Sequence, residues 1–345
     1  MTVRAGILGA TGAVGQRLIQ LLEPHPDFDI AALTASDSSA GKTYREAAKW
    51  RIGEPIPETV AEMTVGRTDP ADVPDDVDLV FSSLPSSVGE AVEPAFCEAG
   101  YVVSSNSSNA RQDADVPLVI PEVNHDHLDL LEVQRDERGW DGALLKNPNC
   151  STVTMVPPLA AVDDAYGLER VTVATLQAVS GAGYSGVSSM EIIDNALPHI
   201  GGEEEKMEAE SRKLLGEFDG AEVHWHDAQV NASCNRIPTI DGHLENVWVD
   251  TVEAATVDGV TEAMAAYPSL DLPSSPAELV HVFEEPDRPQ PRLDRDRGGG
   301  MAVTAGGVRE TADGVQFNCL AHNTMRGAAG ASILNGELLD ERGYL

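Results

Sequence analysis

A short apolar run, residues 3–8, leads straight into Gly9-Ala10-Thr11-Gly12-Ala13-Val14-Gly15, and residues 16–22 follow with apolar side chains at helical spacing. No other feature constrains the fold as much. A glycine-rich turn between a strand and a helix lets the backbone approach a pyrophosphate closely, and the helix N-terminus adds free N–H groups and partial positive charge. Gly9, Thr11, Gly12, Ala13 and Val14 are therefore the candidate cofactor-binding residues of this loop. A merely structural turn is the plainer alternative. Pro24 and Pro26 end the helix. Strands read at 28–33, 78–82 and 101–104, with a helical stretch over about 88–99 and a short further strand at 118–120. Strand and helix in alternation imply parallel strands joined by right-handed crossovers. The class is α/β, with a doubly wound Rossmann-type dinucleotide-binding domain.

The pattern changes near Cys150. Alternating strands read at 171–179, 229–236, 245–252, 301–308 and 315–320, and helices at 191–197 and 203–215. Residues 286–300 read as an exposed loop and 326–339 as a final helix. Strands without regular intervening helices predict a second, mixed α+β catalytic domain. The expected division is 1–148 plus 325–345 for cofactor binding and 149–324 for catalysis and dimerisation.

Charge excludes several functions. Among 345 residues, Asp plus Glu is 57 against 23 for Lys plus Arg, a net charge of −34. Nucleic acid and anionic membranes are thereby excluded as partners. Only five residues are lysine: Lys42, Lys49, Lys146, Lys206 and Lys213. An acidic, lysine-poor surface suits concentrated salt, where the Debye length falls to about 3 Å at 1 M and carboxylate repulsion is screened. That points to a halophile. No apolar run approaches the roughly 20 residues of a membrane span, and the N-terminus reads as a strand rather than a signal peptide. Cys97, Cys150, Cys234 and Cys319 are scattered without CxxC spacing, so neither a metal site nor a disulfide framework is expected. A cytoplasmic thiol protein follows.

The second strand runs into Ser36, Asp37, Ser38, Ser39 and Lys42. The serines and the lysine suit a 2′-phosphate and hence NADP, whereas Asp37 stands near the position of a ribose-binding carboxylate and favours NAD. NADP is the preferred reading.

Asn147-Pro148-Asn149-Cys150-Ser151-Thr152 is the most informative segment. Pro148 and Asn149 suit a turn and a helix cap. Cys150 then lies at a helix N-terminus, which favours the thiolate and offers N–H groups to an oxyanion. An inert buried cysteine fits these six residues equally well. A thiolate needs an acid/base. His243, directly before a strand, is a candidate beside His199, His224, His226 and His322.

These segments together resemble the aspartate-semialdehyde dehydrogenase family. The likeness rests on GATGAVG, NPNCST, residues 177–183 (QAVSGAG), 201–206 (GGEEEK), and 235–238 (NRIP) with Gly242-His243, in that order. It looks closest to the archaeal and fungal branch, partly through 288–292 (RPQPR). The resemblance implies Cys150 as acyl-enzyme nucleophile and His243 as acid/base. Gln177 would orient the substrate, Arg236 would clamp its carboxylate, and Arg111 with Lys206 would bind phosphate. The loop residues above, Ser36, Ser38, Ser39, Ser180, Gly181 and Asn323 would hold NADP. Aspartyl phosphate, aspartate semialdehyde and phosphate are the implied ligands, and a homodimer or homotetramer the implied assembly. Malonyl-CoA reductase is similar and uses the same chemistry. N-acetyl-glutamyl-phosphate reductase shares its logic but has an NPGCYPT-like motif where this chain has NPNCST. A catalytically inactive NADP-binding regulator is the alternative from another class.

Overall fold

A computed structural model describes residues 2–345. The first sheet comprises β1 (Val3–Leu8), β2 (Phe28–Ala35), β3 (Gly66–Arg67), β4 (Leu79–Ser82), β5 (Val102–Ser105) and β6 (Ala143–Lys146). Its order is β3-β2-β1-β4-β5-β6 and every pairing is parallel. The order reverses beside β1, so the glycine loop, β1 to α1 (Ala13–Leu22), leaves the sheet at the crevice where open α/β sheets bind ligands. Both faces are apolar. Ile7, Leu18 and Phe81 belong to one core cluster, and Leu8, Val80 and Phe96 to another across the sheet. Phe96 comes from α2 (Ser86–Glu98), the crossover between β4 and β5.

The second sheet is mixed, as expected. After β7 (Leu168–Gln177) comes a small hairpin, β8 (Glu217–Phe218) and β9 (Val223–His224). β10 (Gln229–Arg236), β11 (His243–Thr251), β12 (Val280–Phe283), β13 (Val303–Glu310) and β14 (Gly314–Ala321) complete the set. The sheet order is β10-β7-β11-β14-β13-β12; the outermost pair at each edge is parallel and the inner pairs antiparallel. Between the two layers runs α3 (Thr152–Tyr166), buried on every side along residues 152–162. Met155 and Leu159 pack on the second sheet, while Val153 and Val156 meet Leu118, Ile120 and Leu214. A helix apolar all round belongs in such an interior. Leu214 ends α4 (Glu203–Leu214), and α5 (Gly330–Glu341) sends Ile333 and Leu338 into the core of the first sheet.

Several expectations need correction. Residues 118–120 form no strand: Leu118 makes one isolated bridge to Lys146, and the neighbouring strand is β6. Residues 191–197 hold only one helical turn, Ser189–Ile192. The loop 286–300 contains two short helical turns and buries Asp294. β11 begins earlier than read, so His243 is its first residue and lies opposite Ala321.

Candidate active site

Cys150 ends the loop that joins β6 to α3. Asn149 caps that helix: its Oδ1 accepts from the Ser151 and Thr152 amides at 2.8 and 3.3 Å, and its carbonyl accepts from Val153 at 2.9 Å. The amides expected to hold an oxyanion are therefore already bonded at Ser151 and Thr152. The turn before α5 closes on the nucleophile. A Cβ on Gly327 would lie 2.7 Å from the Cys150 Cβ, so only glycine fits there.

Cys150 Sγ lies 3.2 Å from Nε2 of His243. The Ala178 amide donates to Nδ1 of the same ring at 3.0 Å, so the neutral imidazole carries its proton on Nε2, facing the sulfur. Among the described residues, none of the rival histidines bonds the Cys150 sulfur. His199 and His224 are exposed, His226 pairs with Asp163 at 3.2 Å, and His322 bonds Thr324.

The electrostatics differ from the expectation of a thiolate favoured by a helix. Burial, and then the Glu203 carboxylate, push the Cys150 thiol up to about 12, while Arg236 and Arg111 pull it down. Burial, Arg236 and His322 push the His243 imidazole down to about 3. The resting pair is a neutral thiol beside a neutral imidazole. Withdrawal from water outweighs the fraction-of-a-charge effect of a helix end.

The sheet register brings the remaining candidates together. Arg236 on β10 is paired with Gln177 on β7. Its Nη1 donates to the Ala178 carbonyl at 2.7 Å and lies 3.5 Å from the Gln177 Oε1. Lys206 on α4 donates to Glu203 at 3.1 Å, and Arg111 donates to Glu210 at 2.9 Å. Arg111, Lys206, Gln177, Arg236 and Cys150 all line one cleft of about 300 Å³. Ala13, Val14, Ser180, Gly181 and Asn323 border the same cleft, and Asn323 ties itself to Ser180 at 2.8 Å.

The other cofactor candidates sit along the sheet's C-terminal edge, outside that cleft. The Gly9 and Ala10 amides both donate to Thr34 on β2, which joins the glycine loop to the serine turn. Gly9 has φ +79°, and a Cβ on Gly15 would lie 2.4 Å from the Gly9 carbonyl oxygen. Such a loop suits close approach by a pyrophosphate. Thr11 offers its carbonyl to Gln16. Ser36 and Ser38 are exposed with hydroxyls 3.0 Å apart, Ser39 is half-buried, and Lys42 turns back onto the Ser38 carbonyl at 2.6 Å. Asp37 borders a separate hollow with Arg67.

Three acidic residues emerge that the sequence reading does not single out for the site. Glu203 is buried and accepts from Asn149 Nδ2 at 2.8 Å, beside the nucleophile. The signal is present: Glu203, Lys206, Glu210 and Lys213 recur at three- and four-residue steps, one face of a helix. Glu93, on α2, is fully buried and accepts from Lys146, Ser82, Ser105 and Ser107, the last two flanking Asn106 in the loop before Arg111. Glu245 shares a strand face with His243, and burial raises its carboxyl well above the usual range.

The full chain has close relatives. It is 52% identical to the aspartate-semialdehyde dehydrogenase of Methanothermobacter thermautotrophicus, over 98% of this chain and 99% of that protein. The chain belongs to the aspartate-semialdehyde dehydrogenase family. This is the family read from the motifs. The enzyme of the same name from Schizosaccharomyces pombe is 45% identical over 99% of both chains. Residues 4–131 match the family described as semialdehyde dehydrogenase, NAD binding domain, and residues 159–326 match semialdehyde dehydrogenase, dimerisation domain. The crystal structure of aspartate semialdehyde dehydrogenase with NADP from Candida albicans superposes with a TM-score of 0.92 at 41% identity, covering both chains completely. The α/β architecture, a parallel six-stranded sheet followed by a mixed one, is thus that of the aspartate-semialdehyde dehydrogenases. No helix among the described residues is long and apolar enough to cross a membrane.

Proposed function

We propose that this chain catalyses the NADPH-dependent reductive dephosphorylation of 4-phospho-L-aspartate to L-aspartate 4-semialdehyde, with Cys150 as nucleophile. Such a reaction serves the biosynthesis of lysine, threonine and methionine. One observation carries the reading: the 3.2 Å contact of Cys150 with His243 in a cleft lined by Arg236, Arg111 and Lys206 and bordered by the glycine loop.

Cys150 attacks the acyl carbon of the bound substrate. The carbon–sulfur bond forms, the bond to phosphate breaks, and the thiol proton balances the departing hydrogen phosphate. Arg111 and Lys206 stabilise the charge on that phosphate. Arg236 holds the substrate carboxylate, where a planar guanidinium suits a planar anion, and Gln177 beside it orients the acyl group. NADPH, when bound, supplies the hydride that reduces the thioester. Nε2 of His243 relays one proton from solvent to the hemithioacetal oxygen, giving up its own and regaining it, and the carbon–sulfur bond then breaks to free the aldehyde and return the thiol. A thioester accepts hydride more readily than a carboxylate, so the covalent route divides one hard reduction into two easier steps. The glycine loop, Ser36, Ser38, Ser39, Ser180, Gly181 and Asn323 would hold NADP.

The division of labour follows the two sheets: residues 1–148 with 325–345 bind the cofactor, and 149–324 carry catalysis and dimerisation. α5 supports the first assignment through its packing against the first sheet. The match to a dimerisation domain supports a homodimer or homotetramer. The setting is the cytoplasm of a halophile, a reading supported by the net charge of −34 and the scarcity of lysine.

The test is phosphate-dependent reduction of NADP by aspartate semialdehyde, run beside NAD and beside malonyl-CoA with NADPH. Turnover that requires phosphate and prefers NADP is expected. Faster turnover of malonyl-CoA would replace the substrate, and no turnover with any of them would favour an inactive binding protein.

A further inference from the structure

Glu203, Lys206, Glu210 and Lys213 lie on one face of α4, yet the proposed chemistry uses Lys206 alone. Glu210 is buried against two residues that line the cleft, Arg111 and Asn149, and its two carboxylate oxygens serve different partners. Oε1 accepts from Nη1 of Arg111 at 2.9 Å, and Oε2 accepts from the backbone amide of Asn149 at 2.5 Å. One end of the carboxylate thus grips the guanidinium assigned to phosphate. The other grips the peptide next to the nucleophile.

Further along the helix, Lys213 holds the same loop from behind. Its buried Nζ donates to the carbonyls of Arg111, Asp113 and Val116 at 2.9, 2.7 and 2.7 Å. The guanidinium is fixed from a third direction, since its Nη2 donates to the Asn106 carbonyl at 2.8 Å. After these contacts, the buried Nε of Arg111 has no protein partner. A guanidinium held at two nitrogens in a cleft wall, with a third left over, is arranged to receive an anion. The buried Arg326–Glu122 pair leaves an Nε unpartnered too, but Arg111 differs in lining the cleft beside Lys206, where an anion can reach it.

We propose that Glu210 is a positioning residue: by bonding Arg111 and the Asn149 amide from one carboxylate, it sets the distance between the phosphate-binding guanidinium and the Cys150 sulfur. The inference rests on the reading of Arg111 as a phosphate ligand. Gln in place of Glu retains one acceptor oxygen and places an amide NH₂ against a second donor, so it cannot satisfy both partners. Glu210→Asp keeps the charge but is one methylene too short to reach both, and it disturbs the core least.

The test measures initial rates of the full-length enzyme in the phosphate-consuming direction, varying phosphate at saturating NADP and aspartate semialdehyde. Glu210→Gln is expected to raise the KM for phosphate by roughly ten- to a hundredfold, with the KM for aspartate semialdehyde nearly unchanged. Glu210→Asp should move it in the same direction by less. Added to Arg111→Ala, Glu210→Gln should raise the KM for phosphate no further, because its target is gone. Additive effects in the double variant, or a fall in kcat alone, would overturn the positioning role while leaving Arg111 as a phosphate ligand. An unchanged phosphate KM in Arg111→Ala would overturn that assignment and the inference with it. If Glu210→Gln does not fold, Glu210→Asp alone carries the same comparison.

Discussion

Cys150→Ala is expected to lower turnover by roughly four orders of magnitude or more, with NADP binding nearly unchanged. The size follows from what the sulfur does. Without it no thioester forms, and hydride transfer must occur directly to an acyl phosphate that nothing has activated. The cofactor site survives because its loop lies at the end of β1 and is built from Gly9 to Gly15, whose backbone bonds run to Thr34. Titration of nucleotide fluorescence with the Ala variant, beside steady-state rates, checks both halves. Turnover within tenfold of the wild-type enzyme would remove Cys150 from the reaction. The raised thiol and lowered imidazole in the resting site add a detail: the two groups are neutral until substrate arrives.

Lys146→Met is expected to destabilise the protein by about 3–5 kcal/mol, because it leaves a buried carboxylate without its cation. Lys146 and Glu93 are both fully buried, and Ser105 and Ser107 complete their network. Burial alone would raise the Glu93 carboxyl. The Lys146 ammonium and the Ser105 and Ser82 hydroxyls outweigh it and hold the group below the usual carboxylate range. A depressed carboxyl contributes stability that is present above its unfolded value, about 4.3, and is lost as the pH falls through that range. The deficit of the Met variant should therefore be largest near neutral pH and shrink below about pH 5, as Glu93 takes up a proton instead. Urea unfolding at several pH values and one protein concentration measures it. A deficit under about 1 kcal/mol at pH 7 would mean that the pair contributes little.

The elements that carry the site are the most legible in the sequence. The glycine loop, the NPNCST turn and the start of α4 are short segments whose chemistry lies within a few residues, and each stands where the periodicity puts it. Family likeness adds His243 and Arg236, which local pattern leaves among rivals. Their meeting is tertiary: β10 lies beside β7, and β11 lies on the other side of β7, so no spacing along the chain encodes the 3.2 Å contact. β6 is hard to see because four residues ending in a lysine look like a loop; Lys146 is tolerable in the interior only because Glu93 arrives from α2 to neutralise it. The protonation state of the nucleophile is misread for a related reason. A helix start is visible in sequence, whereas the burial that raises the thiol is a property of the assembled layers. The same holds for Glu203 and Glu210, which look like surface charges until α4 packs against the Arg111 loop and against Asn149, the residue before the nucleophile. Lysine usage tells a parallel story. Three of the five lysines, Lys146, Lys206 and Lys213, stand in or behind the walls of the cleft, where a cation has a fixed partner.

The most direct test of the account omits phosphate. Enzyme mixed with NADP and aspartate semialdehyde alone should release one equivalent of NADPH per subunit in a burst and then stall. The peptide containing Cys150 should then carry the aspartyl group as a thioester. Absence of the burst, continued turnover without phosphate, or the acyl group on any other residue would contradict it.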